Sequence, residues 1–134
     1  MGIKLVAFDG SETSRKALKQ AVSIMRPDDE LLVLMVVPVA AIAEFADVLP
    51  DISTAKAHGL VNAAVAELKD GGVRALGMVR QGDIADEILT IAADMPVDII
   101  VIGHRGVSKI GRFALGSVAD KVARYATRPV LIVR

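Results

Sequence analysis

Residues 103–117 concentrate the residue types that bind phosphate groups. The segment holds four of the chain's eleven glycines and the basic residues Arg105, Lys109 and Arg112, and no carboxylate occurs from Ile99 to Ala119. Glycine allows the backbone to approach a phosphate closely, with its N–H groups directed at the anion. Gly116 and Ser117 lead into a predicted helix, whose first N–H groups and dipole also favour an anion. We interpret the segment as a phosphate-binding loop; the alternative is a surface connection whose glycines only permit turns.

Other polar residues follow the predicted strands. Asp9-Gly10-Ser11 comes directly after the first apolar run, and Ser11 or Ser14 could cap the helix that follows. Asp83, Asp86 and Glu87 fall in a predicted first helical turn, where carboxylates commonly favour the helix dipole rather than catalyse a reaction. No positioned base, nucleophile or metal pair can be identified, so the sequence favours binding over turnover.

These candidates need a sheet to position them. Short apolar runs alternate with segments of helical period, which is typical of a parallel α/β sheet. We predict strands over residues 4–8, 31–37, 74–80, 99–102 and 130–133, with the strand at 74–80 on an edge, and helices over 14–25, about 53–69, 84–92 and 118–126. The fold class is therefore an α/β open doubly wound sheet of five parallel strands, with helices on both faces. In such a sheet, ligands bind beyond the carboxyl ends of the strands.

Composition excludes several classes of protein. The 16 basic and 16 acidic side chains balance to zero net charge, which argues against binding to nucleic acids or to anionic membranes. Cysteine is absent, which removes thiolate chemistry and disulfides, and the two histidines, 58 and 104, are too far apart to suggest a metal site. No apolar run approaches the roughly 18 residues of a membrane span. We expect a single domain over residues 1–134, located in the cytoplasm.

The glycine spacing distinguishes among phosphate loops. A Walker loop would need Lys and then Ser or Thr after Gly111, and Arg112 and Phe113 stand there. The spacing Gly103-x2-Gly106-x9-Gly116-Ser117 instead resembles the nucleotide-binding pattern of the universal stress protein family. Three further blocks match it in order: Val6-Ala7-Phe8-Asp9-Gly10-Ser11, Gly82-Asp83-Ile84 and Arg128-Pro129-Val130-Leu131-Ile132-Val133.

The resemblance implies the strand order 3-2-1-4-5 and the binding of ATP, with or without Mg²⁺. It implies that Asp9 lies near the ribose and that backbone groups of Val36 or Val37 receive the adenine. The residues expected around the phosphates are Gly103, Arg105, Gly106, Gly116, Ser117 and Val118. Ala7, Ser11 and His104 complete the candidate nucleotide-binding residues. His104 and Ile84 depart from the family pattern, which commonly has a small hydroxyl residue and proline at these positions.

We therefore expect an ATP-binding protein of the stress response that acts as a nucleotide-dependent switch or sensor read by a protein partner. The alternatives are a nucleotide-independent interaction module and a slow ATPase or phosphotransfer enzyme. In the order 3-2-1-4-5, Val130–Val133 forms an apolar edge strand, and such an edge invites pairing. We expect it to pair with a second copy in a homodimer, as the resemblance also implies.

Overall fold

Five strands and four helices alternate along the chain. The computed structural model describes residues 2–38, 52–104 and 115–134, with side chains from residue 54 onward in the second range. The elements are β1 (Ile3–Ala7), α1 (Glu12–Ser23), β2 (Glu30–Pro38), α2 (Ile52–Asp70), β3 (Ala75–Gly82), α3 (Ile84–Asp94), β4 (Val97–Gly103), α4 (Ser117–Tyr125) and β5 (Val130–Val133). No helix in these three ranges is long and apolar enough to cross a membrane.

The sheet has the order β3-β2-β1-β4-β5, and each neighbouring pair is parallel. The predicted fold class and strand order are thus confirmed, including the edge position of β3. The chain adds β2 and β3 on one side of β1 and then adds β4 and β5 on the other side. The strand order therefore reverses between β1 and β4. This reversal is the place where an open parallel sheet leaves room for a ligand at its carboxyl edge.

The sheet is buried on both faces, which explains why its central strands are almost continuously apolar. On one face, Leu5 of β1 and Ile100 of β4 pack with Ile88 of α3 and Val122 of α4. On the other face, residues from β1, β2 and β4 pack with residues from α1 and α2: Val6, Val33, Val101, Ala17, Leu18, Val61 and Ala64. Alternate side chains of each strand therefore enter two separate cores.

Most predicted boundaries differ from the structure by one or two residues, and two of these differences have a clear physical reason. We predicted that the first helix runs to residue 25, but α1 ends at Ser23, and the N–H of Ile24 caps it by donating to the Ala21 and Val22 carbonyls. The chain then turns, with Asp29 N–H donating to the Arg26 carbonyl, before Pro27 could act as a helix terminator. Pro38 is the last residue of β2 rather than the first residue after it, a position where its missing N–H interrupts no continuing ladder.

Candidate functional site

A cleft opens at the carboxyl edge of the sheet, above β1, β2 and β4 and between the first turns of α3 and α4. Its cavity measures about 300 Å³. The residues that line it are Ala7, Phe8, Asp9, Ser11, Ser14, Leu34, Val36, Ile84, Ile88, Ile102, Gly103, His104, Gly116, Ser117, Val118 and Ala119. The cleft thus lies at the reversal in strand order, where a ligand was expected.

Most of the predicted site residues meet in this cleft. Ala7, Asp9, Ser11, Val36, Gly103, His104, Gly116, Ser117 and Val118 all line the cavity, although they come from the ends of three strands and the starts of two helices. Val37 does not line it, because strand alternation turns its buried side chain to the face opposite Val36. Arg105 and Gly106, with the rest of 105–114, lie outside the described residues.

The apolar floor of the cleft was not predicted. It includes Leu34, Ile84, Ile88, Ile102 and Ala119, which sequence reasoning assigned to the core or left without a role. Ile84 and Ile88 lie four residues apart on one face of α3, so their spacing was the available signal. Ile84 is the first residue of α3, where relatives were expected to have proline, and here an isoleucine side chain enters the cleft.

Hydrogen bonds within the β1–α1 turn hold the polar side of the cleft. The Oδ1 atom of Asp9 accepts from the N–H of Ser11 at 2.9 Å, and Ser11 Oγ caps α1 by accepting from the N–H of Ser14 at 3.2 Å. The buried Ser14 hydroxyl donates to the Ser11 carbonyl and accepts from the N–H of Asp9. The predicted capping role therefore belongs to Ser11, and Asp9 remains exposed at the cleft. Within the described part of the chain, only its Oδ1 atom accepts a hydrogen bond.

Gly103 is required at the end of β4 by close packing. A Cβ atom at this position would lie 2.6 Å from Cγ2 of Thr13 in the first turn of α1. That separation is shorter than side-chain atoms tolerate, so any other residue would push α1 away from β4. The first glycine of the predicted phosphate motif thus has a packing role in addition to any contact with a ligand.

His104 joins β5 to the start of α4 through its backbone. Its N–H donates to the carbonyl of Val133, and its carbonyl accepts from the N–H of Gly116 at 3.0 Å. Gly116 is the N-cap of α4 and supplies no side-chain cap. In the described part of this helix start, the N–H groups of Ser117 and the next residues are therefore left for water or a ligand.

The described charges around the cleft are mainly acidic. Asp9 lines the cavity, Asp83 is the N-cap of α3 and Asp86 lies in its first turn, where Lys121 of α4 reaches both of these carboxylates. The Asp86 N–H donates to Asp83 at 2.9 Å and, with Lys121, lowers the pKa of that carboxyl. Hydrogen bonds to Asp86 and then Asp83 raise the pKa of Lys121, so its ammonium stays charged at neutral pH.

The arrangement suits a ligand with an apolar body and a polar or anionic end. The floor offers apolar surface, the β1–α1 turn offers a carboxylate and hydroxyls, and the start of α4 offers N–H donors. Among the residues that the structure describes, no group of three or more His, Cys, Asp and Glu side chains could hold a metal ion. His58, by contrast, is exposed on α2.

Comparison with known proteins places these features in one family. The model of the universal stress protein family matches residues 4–134. The universal stress protein YxiE of Bacillus subtilis is 34% identical, and the match covers 97% of this chain and 97% of that protein.

Two solved structures share the fold at full length. The structure of MJ0577, a Methanocaldococcus jannaschii universal stress protein, has a TM-score of 0.88 and 31% identity, and the match covers 98% of this chain and 94% of that one. A universal stress protein from Archaeoglobus fulgidus, solved in complex with dAMP, has a TM-score of 0.75 and 25% identity, and the match covers 100% of this chain and 98% of that one. This chain belongs to the universal stress protein family.

Proposed function

We propose that this protein binds an adenine nucleotide, ATP in particular, in the cleft and acts as a nucleotide-dependent switch or sensor in the stress response. The observation that carries the proposal is the convergence of the predicted residues on one cavity at the reversal of strand order. The dAMP complex of the related Archaeoglobus fulgidus protein supports an adenine nucleotide as the ligand.

The cleft offers a separate surface for each part of a nucleotide. The apolar floor around Leu34, Val36 and Ile88 suits a base, and the exposed carboxylate of Asp9 suits the hydroxyls of a ribose. The start of α4 suits a phosphate, because the N–H groups of its first turn carry partial positive charge. If Mg²⁺ accompanies ATP, Asp9 is the carboxylate ligand among the described residues that line the cleft, and most of the coordination would come from phosphate and water.

Replacement of Ser117 by Asp tests the phosphate site without disturbing the fold. Ser117 is the exposed first residue of α4, where a carboxylate favours the helix dipole but repels a phosphate. We expect Ser117→Asp to weaken ATP binding by about tenfold or more while the melting temperature is unchanged or higher. Isothermal titration calorimetry measures the first quantity and thermal unfolding the second.

The matched control is Asn62→Asp, which adds the same charge at an exposed position on α2. It should leave ATP affinity within about twofold of the parent. Absence of any heat or thermal shift with millimolar ATP and Mg²⁺ in the parent protein would refute the proposal. Such a result, together with a stable dimer, would favour the nucleotide-independent interaction module; phosphate release that depends on Asp9 would favour a slow ATPase.

We also infer that the protein forms a homodimer through β5 and acts in the cytoplasm. Each of the four residues of β5 is apolar and partly exposed, and one edge of this strand has no partner within the described sheet. An unprotected apolar edge favours pairing with another strand, and a second copy supplies an identical one. Cell fractionation tests the location.

A further inference from the structure

A second cavity adjoins the cleft on the side of β3. It measures about 490 Å³ and shares Ile84, Ser117 and Val118 with the cleft. Its remaining lining residues are Pro38, Gly82, Asp83, Ala85 and Lys121. A ligand that occupies the cleft and contacts the start of α4 therefore lies next to this second cavity.

Lys121 is the one lysine or arginine among the described residues that line either cavity. It lies four residues after Ser117, and helical side chains lean toward the N-terminus of their helix. The position of its ammonium agrees with this direction, because Nζ lies 2.8 Å from Asp86 Oδ1 and 3.4 Å from Asp83 Oδ2 at the start of α3. The cation is thus held beside the first turn of α4, next to the place proposed for a phosphate.

Lys121 can exchange a carboxylate partner for a ligand oxygen with little loss of protein stability. All three charged groups are about half-exposed, and ion pairs of this kind stabilise a protein by roughly 0–1 kcal/mol. Asp83 does not depend on the lysine, because its Oδ2 already accepts from the N–H of Asp86. An ammonium has three donors, and the described contacts engage it with two carboxylates, the longer at 3.4 Å.

We propose that Lys121 binds the outer phosphates of the nucleotide, taking a phosphate oxygen in place of Asp83, and so selects di- and triphosphates over the monophosphate. The inference rests on the proposed function and adds the phosphorylation state of the ligand. A first phosphate occupies the N–H groups at the start of α4. Only a longer phosphate chain extends past Ser117 into the second cavity and gains a charge-assisted hydrogen bond from Lys121.

The test is a series of titrations by calorimetry with adenosine, AMP, ADP and ATP, each against the parent protein and Lys121→Gln. We expect Lys121→Gln to weaken ADP and ATP by about tenfold and to change adenosine and AMP by less than about twofold. Lys56→Gln, at an exposed position on α2, is the matched control and should change none of the four. An equal loss for all four compounds, or no loss for ATP, would overturn the proposal.

Two more variants separate phosphate binding from a clamp between α3 and α4. Asp86→Asn removes the shorter ion pair of Lys121 and one negative charge near the phosphates, so we expect ATP affinity to be unchanged or higher. If Lys121 only clamps the helices, Asp86→Asn should instead reproduce the losses of Lys121→Gln. Lys121→Arg keeps the charge and should keep the preference for ATP over AMP, and thermal unfolding checks that each variant folds.

The same titrations distinguish failure of this inference from failure of the proposed function. Binding of all four compounds with equal affinity by the parent protein would refute the role of Lys121 and leave adenine nucleotide binding intact. Absence of binding by every compound would refute both.

Discussion

At the scale of single residues, Gly103 shows that a motif residue can serve packing as well as ligand binding. Glycine there was interpreted as a phosphate contact, and the structure adds that α1 approaches β4 so closely that a Cβ atom would meet Thr13. Gly10, in the turn after β1, is favoured as glycine for a different reason: its φ is +83°, in the left-handed region that residues with side chains rarely adopt.

Gly103→Ala should therefore destabilise the protein by about 1–3 kcal/mol, because the added methyl group overpacks the contact with α1. Urea unfolding measures the loss. Thr13→Ser removes the methyl group that a Cβ at 103 would meet at 2.6 Å, so the double variant should recover most of the stability. Equal stability of Gly103→Ala and the parent would show that α1 is not held as closely as the structure indicates.

At the scale of elements, a partly buried ion cluster connects three segments at the end of the sheet opposite the cleft. Nζ of Lys4 on β1 lies 3.0 Å from Asp29, just before β2, and 2.9 Å from Asp98 on β4. Burial opposes the charge on Lys4, but hydrogen bonds with Asp98 and Asp29 outweigh it and raise the pKa of the lysine. Asp29 also accepts from the N–H groups of Gly2 and Arg26.

This cluster predicts a loss of stability in acid. Hydrogen bonds from the Arg26 N–H and then Lys4 lower the pKa of Asp29 from 3.8 to about 2. Because the folded pKa lies below the unfolded one, the contribution of Asp29 is complete above about pH 5 and is lost as the pH falls toward 2. Urea unfolding measures the free energy of unfolding of the parent and of Asp29→Asn, and we expect the difference between the two values to decrease from about pH 5 to about pH 2. A difference that does not change with pH would contradict the lowered pKa of Asp29.

At the scale of the whole molecule, the neutral net charge conceals an uneven distribution. The stretch 99–119 has no carboxylate, whereas the described rim of the cleft carries Asp9, Asp83 and Asp86 against Lys121. The two edge strands of the sheet also differ in composition. The longer one, β3, exposes Leu76 beside polar residues, whereas the shorter one, β5, is wholly apolar. The carboxylate-free stretch 99–119 is the reason to expect a small anionic ligand at the carboxyl edge of the sheet, and the apolar β5 is the reason to expect a second copy beside that strand.

Removal of one outward N–H from β5 tests the dimer. The carbonyl of Pro129 accepts from the N–H of Ile100 on β4, and that of Val133 accepts from His104 just after β4, so alternation directs the N–H of Ile132 toward the open edge. Ile132→Pro should therefore give a monomer in sedimentation at micromolar concentration while the ladder with β4 persists. Ile132→Ala removes the side chain but keeps the N–H and should remain dimeric. A parent protein that is monomeric under these conditions would refute the dimer.

Much of the fold followed from local sequence patterns. Continuous apolar runs such as 31–37 and 99–102 predicted buried strands, since only a strand covered on both faces is apolar throughout. The weaker run at 74–80 predicted the edge strand β3. The strand order came from the family resemblance, because periodicity does not state which parallel strands are neighbours. Boundaries shifted where a cap or turn intervened, as at Ser11 and Ile24.

The sequence by itself determined the class of fold and the polar residues at the strand ends, because residue type and period report burial and turns directly. Only the tertiary structure decided which core residues also line the cleft: Leu34, Ile88 and Ala119 belong to the buried core, and their residue types do not distinguish them from its other members. It also decided the partners of Lys4 and Lys121, whose carboxylates lie on other elements. Side-chain contacts between distant segments depend on helix orientation and strand order, which no local pattern encodes.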